Sequence, residues 1–361
     1  MPDLELLKYL CECSAVSGFE DPVISYVARH LRPYADGVEI DRLGNVIGWL
    51  RSPHPEAMTA MVTAHIDEVG FVVRKVEEDG LLRLWRVGGI PEKAMAGQLV
   101  AVCPEGHARV PGVIGGKSHH VLSGEEKLSV DQVVDVFVDV GLRCREEVSA
   151  AGITVGTPVT WWPFFHHTES RILSKALDNR LAVYALLDLA RRLATLPRQV
   201  NLCLVGTVHE EWSAWGSVTS ATTIKPDMAM VLDVAIASDT PGMEALTEAR
   251  LDGGPVIGTY MFHPRGPHMG TIPNPKLRKL LIEVAERDHM PYQLGTFYGG
   301  VTDSSYLQYS GQGIPVVDVG IPTRYTHYPV EVASLIDTET TIRLVERFLT
   351  GLPARVDLSR G

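Results

Sequence analysis

The chain is expected to fold as an α/β domain, a mostly parallel sheet with helices on both faces, interrupted by a small all-β, barrel-like module. Three observations lead there. Four apolar runs lie far apart, at residues 59–66, 201–208, 228–234 and 314–319, with helix-like segments around them. Strands alternating with helices build parallel sheets covered on both faces. From about 75 to 165 the alternation stops, and short strand-like pieces are separated by Gly and Pro (Gly88-Gly89, Pro91, Pro111-Gly112, Gly115-Gly116), the texture of a small barrel. Because the flanking segments share one texture, the module reads as an insertion. The expected division is an α/β domain from 1–73 and 166–361 and a β domain from 74–165, in keeping with 361 residues exceeding one typical core.

The elements follow in order. Residues 3–13 and 21–34 space their apolar side chains as helices do. Asp21 before Pro22 is the expected N-cap and first helical residue of the second. A strand pair over roughly 37–50 turns at Leu43-Gly44-Asn45, and 59–66 is a buried strand. Within the β module, only residues near 129–134 suggest a short helix. Residues 178–195 set Leu181, Ala185, Leu189 and Leu193 on one helical face. Strands at 201–208 and 228–234, a helix at 275–288, a strand at 314–319 and a helix near 337–350 complete the pattern.

Charge and composition exclude whole classes. A formal net charge of −11 without a Lys/Arg cluster argues against a nucleic-acid surface. No run approaches the roughly 18 apolar residues of a membrane span, so no membrane is expected. The first residues, MPDLELLKYLCECSAV, lack the basic stretch of a signal peptide. Five scattered cysteines (Cys11, Cys13, Cys103, Cys144, Cys203) have no CxxC spacing and read as reduced packing thiols. The expected compartment is cytoplasmic.

The chemistry is concentrated at strand ends. The run 59–66 carries His65 with Asp67 two residues on, and 201–208 stops on His209, Glu210 and Glu211. Asp233 sits in 228–234, and 314–322 leads into Tyr325, Thr326 and His327. In open α/β sheets ligands bind beyond the carboxyl ends of strands. Two His and several carboxylates gathered there favour metal binding. One imidazole with two carboxylates per ion suits zinc, cobalt or manganese, and the lack of Cys speaks against a structural zinc site. A carboxylate bridging two ions would hold them roughly 3.5–4 Å apart. Of the adjacent Glu210 and Glu211, one can bind metal while the other acts as general base. Asp67 is close enough to orient the His65 imidazole. Asp178, at the start of its helix, serves equally well as a cap or as a ligand at this point.

The chain resembles the M42 family of dinuclear metallo-aminopeptidases, which contains the tetrahedral TET aminopeptidases and glutamyl aminopeptidase. The matching motifs are AHIDEVGF (64–71), GGKSHHVL (115–122), GTPVT (156–160), KALDNR (175–180), VHEEW (208–212), LDVAIASDTPG (232–242), TDSSYLQYSGQGIP (302–315) and GIPTRYTHYP (320–329). They span nearly the whole chain in family order. The resemblance implies a catalytic domain with an inserted β dimerisation domain, and dimers assembling into a homododecamer. It implies two divalent metal ions, zinc or cobalt foremost, with His65, Asp178 and Asp233 on one and Asp178, Glu211 and His327 on the other. Asp178 would bridge, Glu210 would be the general base, and Asp67 would orient His65. The implied reaction is hydrolysis of the N-terminal residue from peptides with a free N-terminus.

Departures from the family pattern cluster near the site. Around the paired glutamates stand His209, Trp212, Ser213, Ala214, Trp215 and Gly216. His209 is expected to replace a glutamine in hydrogen bonding, and Trp212 and Trp215, three apart, to pack in the core. His263 and His268 flank Pro264, Gly266 and Pro267 in a loop expected at the pocket rim. Tyr328, after the metal-binding His, would narrow the pocket. The alternatives are a related amidohydrolase or deblocking peptidase, an endoglucanase-type hydrolase, which would need two carboxylates flanking a sugar, and a non-catalytic assembly protein.

Overall fold

The computed structural model describes residues 3–263 and 269–360. The chain begins with α1 (Leu4–Glu12) and α2 (Asp21–Leu31). Asp3 caps α1, its carboxylate accepting the Leu6 N–H at 3.0 Å. At α2 the expected cap shifts by one: Glu20 occupies the N-cap position, and Asp21 already lies in the first turn, where its charge complements the helix dipole. A hairpin of β1 (Gly37–Ile40) and β2 (Val46–Leu50) precedes the central strand β3 (Thr59–His65).

Six strands then form the inserted module. They are β4 (Gly70–Val76), β5 (Leu82–Val87), β6 (Leu99–Val102), β7 (Val110–Gly115), β8 (Phe137–Asp139) and β9 (Pro158–Trp161), closed into a barrel in the order β4-β5-β8-β7-β6-β9. Alternate residues fill its interior, among them Phe71, Val73, Leu82, Leu84, Val100 and Val102. Trp161 joins this core, edge-on to Phe71 with ring centroids 5.4 Å apart. The boundary expected between residues 73 and 74 falls inside β4, whose pairing with β5 starts at Gly70. No helix forms at 129–134. The helical pieces among the described residues of the module are three 3₁₀ turns (Glu92–Ala94, His119–Val121 and Glu126–Leu128) and α3 (Arg145–Ala150). Val130, Val133 and Val134 imitate a helical face, but only Val133 packs on the barrel core while the other two are exposed; β-branched residues gain little from a helix without burial.

The chain then returns to the large sheet through β10 (Phe165–His167), β11 (Arg171–Ser174) and α4 (Leu177–Leu193), followed by β12 (Asn201–Thr207), α5 (Trp215–Ile224) and β13 (Met228–Ile236). Next come β14 (Val256–His263), β15 (Met269–Thr271), α6 (Pro275–Arg287) and β16 (Gln293–Tyr298). The last elements are α7 (Ser304–Leu307), β17 (Val316–Arg324), β18 (Glu331–Ser334) and α8 (Leu335–Gly351). Among the described residues the sheet has 12 strands, in the order β1-β2-β12-β3-β13-β17-β18-β11-β10, with β14, β15 and β16 branching from β17. The expected parallel character belongs to the centre, where β12, β3, β13 and β17 run parallel and helices cross between them. The margins are antiparallel hairpins and returns.

The two faces of this sheet are packed differently. Leu202 and Leu204 of β12, Met228, Met230 and Leu232 of β13, and Val317, Val319 and Ile321 of β17 join the large core with α1, α2, α4, α6 and α8. Leu181, Ala185, Leu189 and Leu193 are fully buried as expected, and so are Val183 and Leu186. α4 is thus a central helix covered on nearly every side. The alternate residues, Cys203, Val205, Ala229, Val231 and Val316, form a smaller cluster with residues of α5 and α7. His65, Thr207 and Asp233 belong to this second face by strand alternation.

Candidate metal centre

The parallel register brings the strand ends together. Thr207 of β12 pairs with His65 of β3, and Asp233 of β13 pairs with Gly320 of β17. Asp178 enters from the first turn of α4, where neither it nor Asn179 has helical backbone angles. Its carboxylate caps nothing. One oxygen stands 3.2 Å from His65 Nε2, the other 3.3 Å from His327 Nε2. The carboxylate therefore lies between the two imidazoles rather than at a cap.

Around this axis, Asp233 Oδ1 lies 3.8 Å and Glu210 Oε2 3.9 Å from His65 Nε2, while Glu211 Oε1 is 3.3 Å from His327 Nε2. Ligand atoms of His65, Asp178 and Asp233 fall within 4.8 Å of one another, as do those of Asp178, Glu211 and His327. A third such group joins His65, Glu210 and Glu211. The structure therefore brings His65, Asp178, Glu210, Glu211, Asp233 and His327 to one point. Asp67 stands behind them, its Oδ1 3.3 Å from His65 Nδ1. It also accepts the backbone N–H groups of Glu210 and Glu211 at 3.1 and 3.0 Å and the Ser17 hydroxyl at 2.6 Å. One buried carboxylate thus lies against an imidazole and ties down the turn carrying both glutamates.

The electrostatics follow from crowding acids out of water. Burial first, then the charges of Glu211 and Asp233, hold the Glu210 carboxyl well above the usual range. Burial and Asp178 do the same to Asp233. For His65 burial alone would lower the imidazole, but Glu210, Asp178 and Asp67 outweigh it and hold it well above its ordinary value. His327 behaves likewise through Glu211 and Asp178. Asp178 shows the reverse balance: burial pushes it up, and the imidazoles of His327 and His65 beside it pull it well below. A site with this excess of negative charge is neutralised by protons or by bound cations. The donor set suits divalent ions: imidazole nitrogens, carboxylate oxygens, and a buried Asp178 Oδ1 with no hydrogen-bond donor.

Several supporting residues escaped the sequence reading. Glu331, at the start of β18, accepts the Asp178 N–H at 2.9 Å and the His327 N–H at 2.7 Å, so one side chain positions both. Gly89, from the barrel module, accepts from His327 Nδ1 at 3.2 Å, and a Cβ there would stand 2.9 Å from that nitrogen. Only glycine permits this approach. Asp303 binds the Thr207 hydroxyl at 2.7 Å, and burial pushes its carboxyl up to about 6. Glu68, ion-paired to the fully buried Lys175 and 3.8 Å from Arg180, lies beside the acids. Glu68, Lys175, Arg180 and Asp303 stand inside the quoted motifs, which was the available signal; nothing marked Glu331 or Gly89.

The departures resolve unevenly. His209 pairs through Nε2 with Glu20 Oε1 at 3.6 Å and joins none of the ligand groups. Trp212 and Trp215 are 68% and 58% exposed, so the expected core packing is wrong. α5 begins only at Trp215, leaving Trp212 in the preceding turn, and the two do not share a buried helical face. Tyr328 is 41% exposed and does not line the cavity, whereas Thr326 and His327 do. His263 lines it as well; Pro264, Gly266, Pro267 and His268 lie outside the described residues. The cavity, about 460 Å³, opens from the acidic cluster and runs beneath β13, β14, β16 and β17.

The chain is similar to known proteins over nearly its whole length. The profile of the M42 glutamyl aminopeptidase family matches residues 44–344. The lysyl aminopeptidase of Pyrococcus furiosus is 32% identical over 359 residues, 98% of either chain. The TET aminopeptidase of a marine sediment archaeon, Thaumarchaeota archaeon SCGC AB-539-E09, superposes with a TM-score of 0.91 at 33% identity over 97% of both chains. The TET1 peptidase of Pyrococcus horikoshii, which can assemble into a tetrahedron or a large octahedral shell, gives 0.85 at 26% identity over 97% of this chain and 99% of its own.

Proposed function

The chain belongs to the M42 glutamyl aminopeptidase family, and on that premise we propose that it hydrolyses the N-terminal residue from peptides at a two-metal centre. His65, Asp178 and Asp233 would hold one divalent ion, zinc or cobalt foremost, and Asp178, Glu211 and His327 the second. The observation that carries this reading is Asp178, whose two oxygens each face a different imidazole at 3.2 and 3.3 Å. When bound, the pair of ions would lower the pKa of a water toward about 7 and polarise the scissile carbonyl. Glu210, beside the proposed ligands, would serve as the general base, accepting a proton from the attacking water and passing it to the leaving amine. Asp67 orients His65, and Glu331 holds the backbones of Asp178 and His327. The substrate's free amine is favoured at the cluster's excess of carboxylates.

The barrel is the proposed dimerisation module. Its outer surface carries Val121, Leu128 and Trp85, 75%, 89% and 51% exposed, and apolar area of that kind marks contact surfaces. Dimers joined there are proposed to build a homododecamer in the cytoplasm. Among the described residues no helix is long and apolar enough to cross a membrane.

The test is a panel of aminoacyl chromogenic substrates and short peptides, assayed after metal removal and after adding back zinc, cobalt or manganese. Release of the N-terminal residue should vanish on chelation and return with at least one ion. Activity indifferent to chelation would overturn the two-metal reading. Light scattering of the same preparation should give a mass near twelve chains; a monomer would refute the assembly.

A further inference from the structure

Away from the metal cluster, the cavity is lined by an acid that this chemistry does not use. Asp318 lies in β17, two residues before the Gly320 that pairs with Asp233. By strand alternation its side chain is on the same face as Asp233, roughly 7 Å deeper along the strand. It lines the cavity and is only 6% exposed. Thr302 and Ser304 donate their hydroxyls to its two oxygens at 2.6 and 2.9 Å. Those bonds occupy about half of the roughly four acceptor sites of a carboxylate. Among the described residues no Lys, Arg or His comes within 4.0 Å of it. A buried carboxylate without a cation is costly, and such groups are normally paired. Burial alone pushes this one up to about 6.

The space around it is shaped by glycine. Gly258 of β14 stands opposite Asp318, and a Cβ there would lie 3.6 Å from Oδ2. Gly295 and Gly320 also line the cavity. Among its described lining residues there is no Lys or Arg to meet an acidic side chain. An extended side chain entering from the metal cluster would pass along an apolar, narrow wall and end at a carboxylate.

We propose that Asp318 is a specificity-determining residue: it sits where the side chain of the N-terminal residue ends, and selects lysine or arginine there. The inference rests on the aminopeptidase reading above. A substrate amine held at the metal cluster leaves a four-carbon lysine stem to span the two-residue depth, so its ammonium meets the remaining acceptor sites of Asp318. Leucine would fill the wall but leave the acid without a partner, and glutamate would add a second negative charge.

The experiment compares lysyl, arginyl, norleucyl, leucyl and glutamyl substrates on the metal-loaded wild type and on Asp318→Asn. Wild-type kcat/KM is expected to favour lysine over norleucine, its uncharged counterpart, by about 30-fold or more. That comparison needs no variant. Asp318→Asn should erase the lysine and arginine advantage while leaving leucine within about threefold. A wild type that prefers leucine or glutamate, or a variant that loses all substrates equally, overturns the assignment of Asp318. No hydrolysis of any substrate by the metal-loaded wild type would instead overturn the aminopeptidase reading.

Discussion

The two faces of the large sheet use the same strands for opposite purposes. In β13, Met228, Met230 and Leu232 enter the apolar layer beneath the long helices, while Ala229 and Val231 line the other side and Asp233 ends on it. The first face is sealed by five helices, and its side chains contribute through burial alone. The second is covered by α5 and the four-residue α7, which leaves the carboxyl ends of the strands open. Polar groups collect at those ends because the central strands are parallel: all four stop on one edge, and one helix-poor face is open to solvent there. A single fold thus separates what holds it together from what it does.

Three substitutions sharpen that contrast, in order of expected size. Glu210→Gln, on the open face, should lower turnover by about 10²- to 10⁴-fold with metal content by elemental analysis unchanged and the denaturation midpoint no lower than in the wild type. Near-normal turnover with full metal would remove Glu210 from the base role. Leu204→Ala, on the sealed face, should cost about 2–5 kcal/mol in denaturant unfolding while kcat per folded molecule stays constant. A fall in kcat without a fall in stability would erase the division between faces. Asp67→Asn lies between the two, since this buried residue supports both His65 and the glutamate turn. It should weaken metal affinity or activity by about 10- to 100-fold, read by competition with a chelating dye. If both affinity and turnover are unchanged, Asp67 does not orient the site.

Much of this was readable in the chain. Apolar β-branched runs located β3, β12, β13 and β17, because a strand buried on both faces must be apolar throughout its length. The ligand types at their ends followed from the same runs, and the family motifs added Asp178. What escaped depended on contacts distant in sequence. Trp212 and Trp215 satisfy a helical spacing, but the helix starts too late to use it. Glu331 reaches back 153 residues to the Asp178 amide, and Gly89 reaches His327 across 238. No local period records either contact.

The sequence by itself determined the four central strands, the helices of the sealed face, the presence of an inserted barrel, and which residue types gather at the strand ends. Those outcomes follow from hydrophobic periodicity and turn chemistry, which act over a few residues. Only the tertiary structure decided that Asp178 faces both imidazoles rather than capping α4, that the barrel supplies a carbonyl to His327, and that Asp318 lines a cavity whose described lining residues include no Lys or Arg. These are facts of register and close approach, set when distant strands pair and the helices close one face but not the other.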